Sequence, residues 1–237
     1  MSNLESNVDD VLDWLTDGYL RVETTGIDRI PSTGPAILTA NHSGAWGFDG
    51  IVLNKILRRA LPRPVHLYAD KLVFRLPALA AYARRHGVFS DDPTLGRDRL
   101  ARGELVGVFP EGMAGVGKDF SLRYRLRPFN PGFAATAVLT GAPVVPVSIV
   151  GAEETFPKLG EIGSLARRFG LPYFPVTTPL PLPAKWLVTV GEPIPAPAAA
   201  DTYAERSAAA RRLCDEAWFT VQAMVDRDLG RRTTPFW

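Results

Sequence analysis

Apolar positions along the chain follow two periods. Val8, Val11, Leu12, Leu15 and Leu20 recur at helical spacing, with Asp9, Asp10, Asp13 and Asp17 opposite, which predicts an amphipathic N-terminal helix with an acidic polar face. Short apolar runs bounded by Pro, Gly or Asn then predict strands at Ala36–Ala40, Val65–Ala69, Leu105–Phe109, Val144–Val150 and Trp186–Val190. Helical stretches fall between them, at Gly50–Leu61, Leu72–His86, Leu95–Arg102 and Phe133–Thr140. A last long helix is expected from Asp201, as N-cap, to Leu229, with Gly230 as its stop. Such alternation predicts one α/β domain over residues 1–237, with its core at about 20–195. The expected architecture is a mixed, mostly parallel sheet flanked by helices, with further helices at both ends.

Two segments interrupt the pattern. Residues 128–152 carry no charge and have the apolar length of a membrane span, but Pro128, Pro131, Pro143, Pro146, Gly132 and Gly141 break them. A helix ending near Gly141 and a buried strand account for them instead, so no transmembrane segment is expected. Pro172–Pro183 must be extended, and its Tyr173, Phe174, Val176, Leu180 and Leu182 cannot all be buried by a regular element. Pro193–Ala200 is a second extended, proline-rich stretch.

Composition narrows the function. The 237 residues are 46% hydrophobic and 22% charged, an ordinary globular balance. The lone Cys214 excludes an intramolecular disulfide framework and a cysteine metal cluster, and fits a reducing compartment. Three dispersed histidines do not make a zinc site. A net charge of +2 does not call for nucleic acid. The opening MSNLESNVDD is acidic and polar where a secretory leader needs a basic start and an apolar run, so none is expected.

Chemistry concentrates in two loops that follow strands, where sites of open α/β sheets gather. The first is Asn41-His42-Ser43-Gly44-Ala45-Trp46-Gly47-Phe48-Asp49. His42 can take a proton near neutral pH, and Asp49 can hold its tautomer and stabilise the imidazolium. Alternatively, His42 is a satisfied loop residue and Asp49 caps the next helix. The second loop, Pro110-Glu111-Gly112-Met113-Ala114-Gly115-Val116-Gly117-Lys118, mimics a nucleotide-binding P-loop, but Asp119 stands where that motif places a magnesium-binding Ser or Thr. A plain glycine-rich turn is the other alternative. Lys118, Arg123, Arg125 and Arg127 form a basic run that is either a solvated face or an anion contact. Lys71, after a strand, is either a surface lysine or within reach of a phosphate. His66 and His86 read as structural.

NHSGAWGFD, FPEG and VVPVSIVG, in that order, resemble the glycerolipid acyltransferases of the lysophospholipid acyltransferase superfamily. The longer runs FPEGMAGVGKDFSLRYRLRPFNPGF and GAPVVPVSIVGAEE are similar to the branch related to monoacylglycerol acyltransferases. The likeness covers about residues 20–195. It implies transfer of a fatty acyl group from an acyl-CoA or acyl-carrier-protein thioester to a hydroxyl of a lysophospholipid or other glycerolipid, with no further cofactor. His42 is then the general base and Asp49 its partner, with Asn41, Ser43, Lys71, Glu111, Gly112, Lys118 and Arg123 contacting substrate. Glu111 would bind acceptor hydroxyls or brace the His42 loop, and amides of the Gly112–Gly117 turn would meet an anion or the oxyanion. The interval from Ser43 to Phe48 is wider than the family's common one and matches the monoacylglycerol-type branch. Gly87-Val88-Phe89 and FPEG are not followed by the arginines found in members that use glycerol 3-phosphate-type acceptors, so a terminal acceptor phosphate is not expected.

Amphiphilic substrates imply a membrane surface, and hence a cytoplasmic protein peripherally bound to the inner face of the cell membrane. The helix at Gly50–Leu61, with Lys55, Arg58 and Arg59, and the one at Leu72–His86, with Arg75, Arg84 and Arg85, have the pattern of interfacial basic helices. Helices packed on an ordinary sheet have the same pattern.

Overall fold

A computed structural model describes residues 9–75, 77–90, 92–171, 173–198 and 201–236. Val8, Leu76, Pro172, Ala199 and Ala200 of the elements expected above lie outside that set. The chain opens with helix α1, residues 9–19, whose second half is a π-helical turn, Trp14–Tyr19. It continues through β1 (Glu23–Thr25), β2 (Ala36–Ala40), α2 (Phe48–Ala60), β3 (Val65–Ala69), α3 (Pro77–Arg85), β4 (Phe89–Ser90), α4 (Pro93–Ala101), β5 (Leu105–Val108) and α5 (Met113–Val116). After these come α6 (Gly132–Thr140), β6 (Val144–Val150), α7 (Ala152–Thr155), β7 (Gly160–Glu161), α8 (Gly163–Phe169), β8 (Pro175–Val176), β9 (Leu187–Val190) and α9 (Tyr203–Arg231).

Seven strands form one sheet in the order β1-β9-β6-β2-β5-β3-β4. Every pairing in it is parallel except β6 with β9, so the sheet is mixed and mostly parallel, as the alternation of elements predicts. Strands β2 and β6 are buried along their whole length, so both sheet faces are covered. One face packs Ala209, Leu213, Ala217, Val221 and Val225 of α9 with Ala134, Ala137 and Val138 of α6. The other packs Leu12 and Leu15 of α1 with Val52, Leu53 and Leu57 of α2. No helix among the described residues is long and apolar enough to cross a membrane.

Element ends differ from expectation for local reasons. The stretch Leu72–His86 divides into a 3-10 turn, Val73–Arg75, and α3, which starts on Pro77. A proline has no N–H for the preceding turn, so the helix cannot run back through it. Asp92 caps α4 by accepting the Thr94 N–H at 2.9 Å, and Pro93 opens the helix ahead of the expected Leu95. Helix α9 is capped by Thr202, not Asp201, in a reciprocal box with Glu205. It runs past Gly230, a tolerated interior glycine, to Arg231. Four very short strands, β1, β4, β7 and β8, lie below the length at which periodicity is visible.

The acidic face of α1 is docked on α2. Lys55 Nζ lies 3.3 Å from Asp9 and 3.0 Å from Asp13, and Arg59 pairs with Asp17 at 2.8 Å. The basic face of α2 expected to meet lipid is thereby turned to an intramolecular partner.

Candidate active site

Strand β2 delivers His42 to the carboxyl edge of the sheet, beside the turn that follows β5. Asn41 is fully buried and both ends of its amide serve the sheet: Nδ2 donates to the Ile149 carbonyl at 2.9 Å and Oδ1 accepts the Ile149 N–H at 2.7 Å. It fixes the end of β2 on β6, and its amide is committed to the Ile149 main chain.

His42 and Asp49 meet. His42 Nδ1 lies 2.8 Å from Asp49 Oδ2, with Asp49 fully buried and the imidazole 17% exposed. Asp49 Oδ2 also accepts the Ser43 N–H at 2.7 Å, and Oδ1 accepts the Gly50 N–H at 2.8 Å. A carboxylate so fixed selects the tautomer with hydrogen on Nδ1, leaving the Nε2 lone pair as base. Helix α2 starts at Phe48, two residues earlier than expected, and its N-cap is Gly47. Asp49 is therefore a first-turn residue and not the cap. Gly47 has φ +65°, and a Cβ there would stand 3.4 Å from His42 Cε1 and 3.7 Å from Nε2, so glycine keeps the working edge of the ring open. Ser43 Oγ is buried with no hydrogen-bond partner among the described residues.

The second loop locks the first from behind. Glu111 is buried; Oε1 accepts the His42 N–H at 2.8 Å and Oε2 accepts the Arg127 N–H at 2.6 Å. Of its two expected roles, the geometry gives it the brace. Gly112 adopts φ +54°, ψ −146°, a conformation essentially reserved for glycine, and so turns the chain from β5 into α5. At Gly115 a Cβ would lie 2.7 Å from Glu111 Cβ and 2.8 Å from the His42 carbonyl, so the two loops touch only because no side chain intervenes. The amides of Gly115, Val116, Gly117 and Lys118 donate within the turn, whereas those of Met113 and Ala114 head α5 without a backbone acceptor among the described residues. Lys118 is likewise committed: it is 4% exposed, with Nζ 3.1 Å from Glu153 and 3.5 Å from Glu111. Its ammonium is thus paired within the protein.

Two other expected contacts lie apart. Lys71 is exposed in the turn after β3, at the same sheet edge but with β5 between it and β2. Its charge acts on Asp92, whose carboxyl is held below the usual range mainly by hydrogen bonds from Thr94. Arg123 is exposed and lies over the Phe120 ring at 4.6 Å. Neither is brought against His42.

Sequence reasoning missed four neighbours. Phe109 stacks on the His42 ring at 4.4 Å, and Glu153 opens α7 beneath the site. Both stand inside the quoted motifs, where their types were a usable signal. Tyr173 reaches the Ala45 carbonyl at 3.5 Å, and burial, then the Asp49 carboxylate, push its phenol up. Lys158 faces Tyr173 at 5.3 Å and, with Ala45, Val116, Lys118 and Glu153, lines a narrow cleft. These two come from the far side of the chain, where no motif announces them.

Beside the site lies an exposed apolar ledge. Along the extended segment before and through β8, Pro175 is buried, Tyr173 and Phe174 are half-buried and Val176 is exposed. Trp46, 52% exposed, packs edge-on against Phe174 at 5.8 Å. Leu180 of the proline-rich segment is exposed, as is Ile162, whose N–H donates to the Phe174 carbonyl.

Fold and site define an α/β protein with a histidine–aspartate pair at the carboxyl edge of its sheet. Residues 21–150, more than half of the chain, match the family described as Acyltransferase. The chain belongs to that family. It is 41% identical over 230 residues to an uncharacterized protein of Mycobacterium tuberculosis (strain ATCC 25618 / H37Rv), covering 92% of this chain and 64% of the relative. The chicken (Gallus gallus) "DGAT1/2-independent enzyme synthesizing storage lipids" is 29% identical over 191 residues, covering 76% of this chain and 55% of that protein. The chain thus spans less than two thirds of the length of these relatives. Its fold is similar to the crystal structure of the 1-acyl-sn-glycerophosphate (LPA) acyltransferase PlsC from Thermotoga maritima, with a TM-score of 0.59 and 21% identity over 99% of this chain and 86% of that one.

Proposed function

We propose that this protein moves a fatty acyl group from a thioester, of coenzyme A or of acyl carrier protein, to a hydroxyl of a lysophospholipid or other glycerolipid. The observation that carries this reading is the 2.8 Å contact between His42 Nδ1 and a fully buried Asp49, with the Nε2 edge left clear by Gly47. His42 Nε2 takes the proton of the acceptor hydroxyl as its oxygen attacks the thioester carbonyl. The tetrahedral intermediate collapses by breaking the C–S bond, and the leaving thiolate takes the proton back from Nε2. Asp49 stabilises the imidazolium between the two transfers. The thioester is already activated, so no covalent acyl-enzyme is needed. Cys214 suits none: it lies buried in α9, where burial pushes its thiol up to about 11.

An acceptor with a headgroup, or monoacylglycerol, is preferred to lysophosphatidic acid or glycerol 3-phosphate, because a desolvated phosphate monoester lacks the two arginine forks that would meet it. The partner surface is the inner face of the cell membrane. The Trp46–Phe174–Val176 ledge supports this, with Arg167 and Arg168 exposed on the adjoining α8 to meet anionic headgroups.

The test follows free-thiol release from acyl-CoA, and from acyl carrier protein, across a panel of lysophospholipids, monoacylglycerol, lysophosphatidic acid and glycerol 3-phosphate. Release with a glycerolipid acceptor is expected. No release from either donor with any acceptor would leave a lipid-binding protein without this activity.

A further inference from the structure

Glu111 lies in the FPEG block, and the side chains that hold it lie beyond that block. Lys118 Nζ is surrounded by three oxygens: Glu153 Oε1 at 3.1 Å, the Arg125 carbonyl at 3.2 Å and Glu111 Oε2 at 3.5 Å. The side chains of Lys118 and Glu111 are 2% and 0% exposed, and that of Glu153 is 6% exposed. Glu153 Oε1 also accepts the Tyr124 N–H at 2.9 Å. One ammonium therefore stands between two buried carboxylates, and one of those carboxylates grips the backbone of His42.

We propose that Lys118 is a positioning residue for acyl transfer: balanced by Glu153, it holds Glu111 as a carboxylate against the amides of His42 and Arg127, and thereby sets where His42 stands. This rests on His42 being the base. Without the ammonium, two carboxylates would face one another out of water, and one would take up a proton. A neutral Glu111 holds an amide less strongly than a charged one. Burial, opposed by Lys118 and reinforced by Glu111, already pushes the Glu153 carboxyl up to about 7, so the balance is poised near neutral pH.

Other charged and titratable groups are packed around the cluster. They are Asp49 on α2, Tyr124 after α5, Glu154 on α7 with Arg232 from the end of α9, and Lys158 and Tyr173 across the cleft. Glu154 is answered by Arg232 at 2.6 Å and by the Tyr124 hydroxyl, so it does not compete for Lys118.

The experiment compares the full chain with K118M, E153Q, K118M/E153Q and H42A by two readouts, hydrogen exchange at the His42 amide and the pH profile of kcat. K118M should speed exchange at the His42 amide and lower kcat about tenfold to a hundredfold with KM within about twofold. Its acid limb should move up by about one pH unit. E153Q, which leaves Lys118 to Glu111 alone, should move the limb the other way. The double variant, with a glutamine amide to donate toward Glu111, should recover most of the lost kcat. A merely structural role would not move the limb in opposite directions. Wild-type exchange and an unmoved acid limb in folded K118M would overturn the proposal. If K118M does not fold, an unmoved limb in E153Q overturns it instead. Loss of activity in H42A with none of these shifts sinks this inference alone. Full activity in H42A sinks the function proposed above, and amide exchange still judges the role of Lys118.

Discussion

Among the described residues Lys55, Lys118 and Lys158 each sit between two carboxylates, and the first two differ in what surrounds them. Lys55, on α2, meets Asp9 and Asp13, whose side chains are 30% and 43% exposed, at the rim of the α1–α2 seam. Asp13 is pulled below the usual carboxylate range, first by its hydrogen bond from Lys55, but water reaches the cluster and neighbouring Arg58 and Arg59 share its charge. Lys118, between Glu111 and Glu153, is sealed from water and shares its charge with no other cation within ion-pair distance among the described residues. At the rim, attraction is screened and each pair is replaceable. In the sealed cluster, removing one member strands the others in a low dielectric. The first cluster glues two helices; the second fixes the backbone of one histidine.

Breaking the sealed cluster should be the costlier act. K118M is expected to lower unfolding stability by about 3–5 kcal/mol, the range for removing one partner of a buried pair, with little response to salt. Chemical denaturation at low and high ionic strength measures both. Gly115→Ala tests the same region through packing. Its new Cβ meets Glu111 and the His42 carbonyl, and a loss of roughly 1–3 kcal/mol is expected together with reduced turnover.

A subtler separation comes from pH. The folded chain keeps a proton on Glu153 up to about 7, while the unfolded chain loses it near the ordinary value of 4.5. Stability from this group is therefore present below 4.5 and is lost as pH rises through about 7. Subtracting E153Q from wild type across that window should show wild type losing ground as pH rises, then a plateau above it. A flat difference would mean that Glu153 is charged throughout. The smallest effect belongs to the rim. K55M should cost about 0.2–1 kcal/mol, seen as a fall of a few degrees at most in melting temperature, and the difference should shrink in high salt.

The sequence disclosed those features that repeat or that cluster locally. Strands β2 and β6 have the limits that their apolar runs predict, because fully buried strands read as unbroken apolar segments. His42 and Asp49 were legible as a pair because one short loop and one helical turn carry both. The brace by Glu111 was legible as one of two roles, since its residue type fits either. Lys118 was read as a basic residue in a basic run, because its two acids lie at positions 111 and 153 and only the packing of α7 under the β5 turn brings them together. The resemblance implies a substrate contact for Asn41, and the partner that no local pattern announces is the main chain of a strand far away in sequence. The basic face of α2 looked free for lipid because the acids that cover it belong to another helix.

The most direct measurement is turnover of His42→Ala beside wild type, with the acylated acceptor counted by mass spectrometry and the fold checked by circular dichroism. Removal of a general base costs about a hundredfold to ten-thousandfold, and the account predicts a loss in that range for a folded H42A protein. A folded H42A protein that keeps more than about a tenth of wild-type turnover would contradict it.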